Sequence, residues 1–200
     1  MALGGRLRCG LLIGALMLVA GCGQASVDDA MAAYRKGDYA TAVALFQPLA
    51  EGGDASAQVA LGLMHDNGQG VARDYGEAVK WYRLAADRGS ADGQAALGAM
   101  YDNGHGVEQD DAEAVKWFRL AARQGDEFAQ YNLGVLYKNG RGVPQDNKRA
   151  YLWFNIAAAK GQQEAIEKRD LAAANLNAEE VAQGETMARK CEQASFRDCN

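Results

Sequence analysis

The sequence predicts an all-α fold, an α-solenoid of helix–turn–helix repeats, and three observations predict it. Gly53, Gly89, Gly125 and Gly161 stand 36 residues apart, and thirteen of the 36 columns they define in 53–88, 89–124 and 125–160 hold one residue in all three copies. Such self-similarity marks a stack of units, each burying its apolar face against the next. Every copy also places a Gly-rich loop between two runs of helical period, at Asn67-Gly68-x-Gly70-Val71, Asn103-Gly104-x-Gly106-Val107 and Asn139-Gly140-x-Gly142-Val143. Finally, the chain has 24 Gly but only 2 Pro in Ala-rich sequence, a composition of short helices with frequent stops.

The first 21 residues read as an export signal. Arg6 and Arg8 precede an apolar run from Gly10 to Ala20, too short for a stable membrane span. The run ends Leu18-Val19-Ala20-Gly21-Cys22, which resembles the lipobox of bacterial lipoproteins. That resemblance implies cleavage before Cys22 and acylation of it. More than one acyl chain gives stable anchoring where one gives only marginal binding. The alternative is an ordinary signal cut at a small-x-small site, with Cys22 incidental. Gly23 stands where the usual inner-membrane retention signal has Asp, so the expected location is the periplasmic side of the outer membrane. Residues 22–29 are small and polar and are expected to form a tether.

Residues 30–52 read as a variant first repeat with a short loop, Ala33-Tyr34-Arg35-Lys36-Gly37-Asp38-Tyr39, with Leu45 in the column that holds Trp81, Trp117 and Trp153. In the three full copies, Asp54, Ser90 or Asp126 follows the repeat-bounding Gly and is the expected N-cap of a first helix. Gly62, Gly98 and Gly134 fall inside those helices. A mid-helix Gly costs about 1 kcal/mol relative to Ala, so its presence in every copy predicts close helix–helix contact. Asp74, Asp110 and Asp146 are expected to cap the second helices, with capping boxes to Glu77 and Glu113 in two of them. The Trp column, with Ala78, Tyr82 and Ala85 in the first copy, is expected on the buried side. Residues 161–200 are expected to form a capping pair of helices, the second begun by Asn177 with Glu180 three residues on.

The run Leu-Gly-x-x-Tyr-x-x-Gly-x-Gly-Val-x-x-Asp-x-x-x-Ala-x-x-Trp-x-x-x-Ala-Ala closely resembles the Sel1-like repeat, a relative of the tetratricopeptide repeat. Block 89–124 matches at every position, whereas 53–88 has His65 for Tyr. The resemblance implies a right-handed superhelix with the first helices lining its concave face. It also implies a role in assembling protein complexes, often in bacterial envelopes, with murein-remodelling enzymes or secretion components as partners. Some envelope members carry a disulfide in every repeat; this chain has no cysteine in 30–160, so no activity tied to that branch is expected.

No catalytic chemistry is legible. The chain has two histidines, His65 in a Tyr column and His105 at a variable loop position held by Gln69 and Arg141 in the other copies, which is expected to be a solvated turn. No His-Glu-x-x-His, Cys-x-x-Cys, Gly-x-Ser-x-Gly or Ser-x-x-Lys occurs. The Gly-x-Gly turns lack the Lys-Ser/Thr ending of a phosphate cradle. No cofactor, metal site or enzymatic activity is expected. Without the signal's two arginines, 19 basic residues face 26 acidic ones, and no basic stripe lies on a predicted helix. Nucleic acid, whose binding rests on cationic contacts to phosphate, is excluded as a partner. Cys191 and Cys199 are an even pair in an exported chain and are expected to be joined.

The leading expectation is a lipid-anchored scaffold that binds envelope proteins through variable first-helix positions. Helix phase picks out Gln58, Leu63, Gln94, Ala99, Gln130, Tyr131 and Val135 as candidate contact residues. The alternative is a protein that binds, cleaves or regulates the cleavage of peptidoglycan or other glycan. Trp residues placed in the core speak against a glycan-binding groove.

Overall fold

The computed structural model describes residues 26–194 together with Phe196 and Cys199. Cys22 and the signal-like segment lie outside the described residues. Among the described residues there are ten helices and no strand, an all-α repeat solenoid. The helices are α1 (Val27–Arg35), α2 (Tyr39–Glu51), α3 (Ala55–Asn67), α4 (Tyr75–Asp87), α5 (Ala91–Asn103), α6 (Asp111–Ala122), α7 (Glu127–Asn139), α8 (Asn147–Ala159), α9 (Gln163–Ala173) and α10 (Ala178–Gln193).

The helix boundaries follow from local chemistry. Asp54, Ser90 and Asp126 accept the backbone N–H three residues on, at 2.8, 3.2 and 2.7 Å, and so start α3, α5 and α7. Gly68, Gly104 and Gly140 end those helices in the left-handed conformation. Each loop is closed by a main-chain bond from the next cap, Asp74, Asp110 or Asp146, to the carbonyl of His65, Tyr101 or Tyr137. Asp74 and Asp110 do cap α4 and α6, but the expected boxes are only half made. Glu77 and Glu113 turn instead to Lys80 and Lys116 one turn along. Reciprocal boxes form elsewhere, at Asn177–Glu180 and at Ser26–Asp29. The latter begins α1 at Val27, so the last three residues of the expected tether are helical.

Within each repeat the two helices meet at the mid-helix Gly. A Cβ on Gly62 would sit 2.5 Å from the Tyr82 ring, on Gly98 2.8 Å from Phe118, and on Gly134 2.6 Å from Phe154. The close contact expected at these glycines is therefore made by the aromatic that follows the Trp. Trp117 and Trp153 are buried, at 8% and 3% exposure, but Trp81 is only half-buried. Trp81 packs against the first unit, whose α1 spans nine residues. Trp117 sits among Ala78, Val79 and Tyr82 of α4 and Leu97 and Met100 of α5.

Curvature follows from which helices touch. α3 meets α5 and α5 meets α7, whereas the second helices α4, α6 and α8 make no comparable contact with one another. The first helices therefore form the inner layer. At the C-terminal end, α9 packs beside α8, and α10 also lies against α8, where the Tyr151 ring fills the space that a Cβ on Gly184 would take. Cys191 and Cys199 are bridged, with Cα atoms 4.8 Å apart, and Cys191 is fully buried. The loop so closed places Phe196 against Gly125 and under the Lys160 ammonium.

Candidate interaction surface

The inner face is built from one column per helical turn on α3, α5 and α7. The structure aligns Leu63, Ala99 and Val135 on it, one per repeat; Leu63 is 39% exposed, while Ala99 and Val135 are half-buried. Tyr131 is half-buried, tilted against Phe154 with ring centroids 5.7 Å apart, and donates its hydroxyl to Glu164 Oε1 at 2.5 Å. Partial burial, and then the neighbouring carboxylate, push its pKa up to about 12, so it stays a neutral donor.

The three glutamines are not on this surface, which corrects their assignment as contact residues. Gln58, Gln94 and Gln130 are 1%, 6% and 0% exposed. Each Nε2 donates to a carbonyl near the end of the preceding repeat's second helix: Ala50 at 2.9 Å, Ala86 at 3.3 Å and Ala122 at 3.3 Å. Helices leave their last four carbonyls without intrahelical partners, and a buried one is costly unless satisfied. The Gly53, Gly89 and Gly125 N–H groups already donate to these carbonyls at 3.0, 2.9 and 3.0 Å, and the Gln column adds a second bond that ties one repeat to the next. Its invariance across copies was the available signal, because a residue fixed by packing does not vary.

The variable loop position also does more than face solvent. Gln69 Oε1 accepts from the Tyr34 hydroxyl at 2.9 Å; His105 stacks on Tyr75 with centroids 4.5 Å apart; Arg141 pairs with Asp102 at 2.8 Å and Asp111 at 2.5 Å. All three reach the preceding repeat. His105 is exposed as expected, yet it is stacked rather than free. Burial raises the pKa of Asp102 despite the opposing field of Arg141. The Tyr column works alike: Arg83 donates to the Tyr101 hydroxyl, and Arg119 to that of Tyr137 at 2.6 Å.

Phe128 and an N-terminal groove escaped the sequence reading, although Leu63 at that groove was among its candidates. Phe128 is 53% exposed and meets Phe118 edge-on at 6.0 Å. Its column mates are Ser56 and Asp92, so variation among copies in the first turn was the signal for it. The second is an apolar groove of about 310 Å³ between α1 and α3, lined by Val27, Met31, Tyr34, Val59, Ala60 and Leu63, with Ser56 and Asp92 at its rim. It depends on how α1 docks, which no local pattern encodes. No group of His, Cys, Asp and Glu among the described residues is arranged to hold a metal ion, and no described helix is long and apolar enough to cross a membrane.

The sequence model of the Sel1 repeat matches residues 31–54, 55–90, 91–126 and 128–162. Among solved structures, a Sel1 repeat protein from Oxalobacter formigenes is 33% identical, with a TM-score of 0.71 over 82% of this chain and 69% of that one. The protein c5321, a protective antigen of uropathogenic Escherichia coli strains with an SLR fold, is 35% identical, with a TM-score of 0.72 over 83% of this chain. The match spans only 38% of that longer protein. No curated protein matches the sequence.

Proposed function

The chain belongs to the Sel1 repeat family, and from that membership we propose that it is a non-catalytic scaffold that binds other proteins along the inner face of its first helices. One observation carries the reading. The residues repeated in all three copies serve packing, caps and turns, whereas the accessible inner columns differ from copy to copy: Ser56, Asp92 and Phe128; Ala60, Ala96 and Asn132; Leu63, Ala99 and Val135. A constant frame with a variable lining is what recognition on a solenoid requires.

The proposal places the scaffold in a bacterial envelope, lipid-anchored through Cys22 on the periplasmic face of the outer membrane. The run Leu18-Val19-Ala20-Gly21-Cys22 and the Gly23 that follows support this placement. Partners are then envelope proteins, with murein-remodelling and secretion components the kinds that the family resemblance suggests. Action on peptidoglycan or glycan has no residue constellation in its favour.

Crosslinking in membranes followed by affinity capture tests the scaffold. Wild type is expected to retain a discrete set of proteins, and the variant Leu63→Asp with Val135→Arg is expected to lose them while keeping its helical circular dichroism. Equal recovery by both would contradict the reading. Cys22→Ala is expected to shift the protein from the membrane to the soluble fraction; retention through a high-salt wash would remove the lipid anchor from the account.

A further inference from the structure

The groove between α1 and α3 has an apolar floor and one carboxylate, Asp92, at its rim, and no side chain among the described residues fills it. Val27, Met31 and Tyr34 on one side face Val59, Ala60 and Leu63 on the other. α3 meets α5 and α5 meets α7, the contact between α1 and α3 is weaker, and residues of both helices line the groove. The Tyr34 hydroxyl, bonded to Gln69, fixes one wall. Next along the inner face, Ala96 and Ala99 hold the columns of Ala60 and Leu63, so small side chains follow the groove on α5.

Charge narrows the occupant. Asp92 is exposed at the rim and has no ion-pair partner among the described residues. Its field reaches Asp126 of the next repeat, whose carboxyl is raised first by burial and further by Asp92. Residues 27–103 hold 11 acidic and 6 basic side chains, against 15 and 13 in residues 104–200. The bases of the N-terminal half are engaged or lie elsewhere: Lys80 pairs with Glu77, Arg83 with the Tyr101 hydroxyl, and Arg88 with the Leu84 carbonyl. None lines the groove.

We propose that this N-terminal groove is a docking site for a protein segment that presents aliphatic or aromatic anchors next to a Lys or Arg. The anchors fill the space between α1 and α3, and the cation meets the Asp92 carboxylate at its rim. The inference rests on the scaffold reading and assigns that scaffold one site and one partner chemistry. Electrostatic complementarity at an exposed rim sets orientation and encounter more than affinity, so the apolar anchors carry most of the binding.

The test is selection from a displayed random 12-residue peptide library on the full chain held in lipid nanodiscs. The expected outcome is an enriched family with apolar anchors and a base close by in sequence. For a synthetic peptide of that family, Leu63→Asp should weaken binding by roughly tenfold or more. Asp92→Ser, which installs the residue that Ser56 already supplies in the same column, should weaken it by about threefold and flatten its salt dependence. Lys116→Ala, on the exposed side of α6, should leave the dissociation constant unchanged. Enrichment of acidic or uncharged peptides, no enrichment, or binding indifferent to Leu63→Asp would each overturn the proposal. Peptides whose binding is lost with Val135→Arg but not with Leu63→Asp would overturn it and leave the scaffold reading standing. Failure of the membrane capture experiment would instead remove the scaffold itself.

Discussion

Gln130 and Gly98 show how single residues tie one helix to another. Gln130 is fully buried and its amide nitrogen donates to the Ala122 carbonyl at the end of α6. Gln130→Ala removes this bond between repeats while the Gly125 N–H still donates to the same carbonyl, and the expected loss is about 0.5–1.5 kcal/mol in urea unfolding of residues 26–200, with no change in partner capture. A loss of capture without a loss of stability would return the Gln column to the binding surface. At Gly98 two effects of Ala compete. Helix propensity favours Ala by about 1 kcal/mol, but a Cβ 2.8 Å from the Phe118 ring forces overpacking that costs about 1–3 kcal/mol. Gly98→Ala should therefore lower the unfolding midpoint, and the added change Phe118→Leu should recover part of the loss. A midpoint raised by Gly98→Ala alone would mean that the ring moves aside freely.

Among the elements, α6 and α10 carry the tests. Trp117 of α6 is buried among side chains of α4 and α5 in the middle of the stack. Trp117→Ala is expected to cost about 3–5 kcal/mol, whereas His105→Ala, which removes one exposed stack on Tyr75, should cost within about 1 kcal/mol. Equal urea midpoints would place the Trp column at the surface. α10 lies on α8 and is closed by the Cys191–Cys199 bridge. Thiol labelling of protein isolated without reductant is expected to require prior reduction, and reduction should destabilise the chain by roughly 2 kcal/mol or more through loop-closure entropy. Free labelling without reductant would mean that packing alone holds the C-terminal helix. How legible each element was follows the same physics. The helices of the three full copies and their caps could be read from the 36-residue period, because caps and turns are local. The place of α10 against α8 and the gap between α1 and α3 could not, because they depend on side chains far apart in sequence. The glutamines were misplaced because helix phase cannot tell an inner exposed column from one that faces the preceding helix.

At the scale of the molecule, a stack of near-identical frames offers one continuous inner face whose lining changes from repeat to repeat. Stability belongs to nearest-neighbour interfaces and recognition to the columns those interfaces leave open. The fixed columns, the buried Gln bonds and the loop contacts to the preceding repeat all serve the first role. Leu63, Val135, Tyr131 and Phe128 stay at least partly accessible, and the proposed function gives them the second. Site-specific photocrosslinking in living cells tests this division most directly, with a photoreactive residue placed at Leu63 or Val135 on the inner face, or at Lys80 or Leu120 on the exposed side of the second helices. The account predicts discrete protein adducts from the inner positions and little from the outer ones. Adducts of equal yield from both sides, or from the outer side alone, would contradict it.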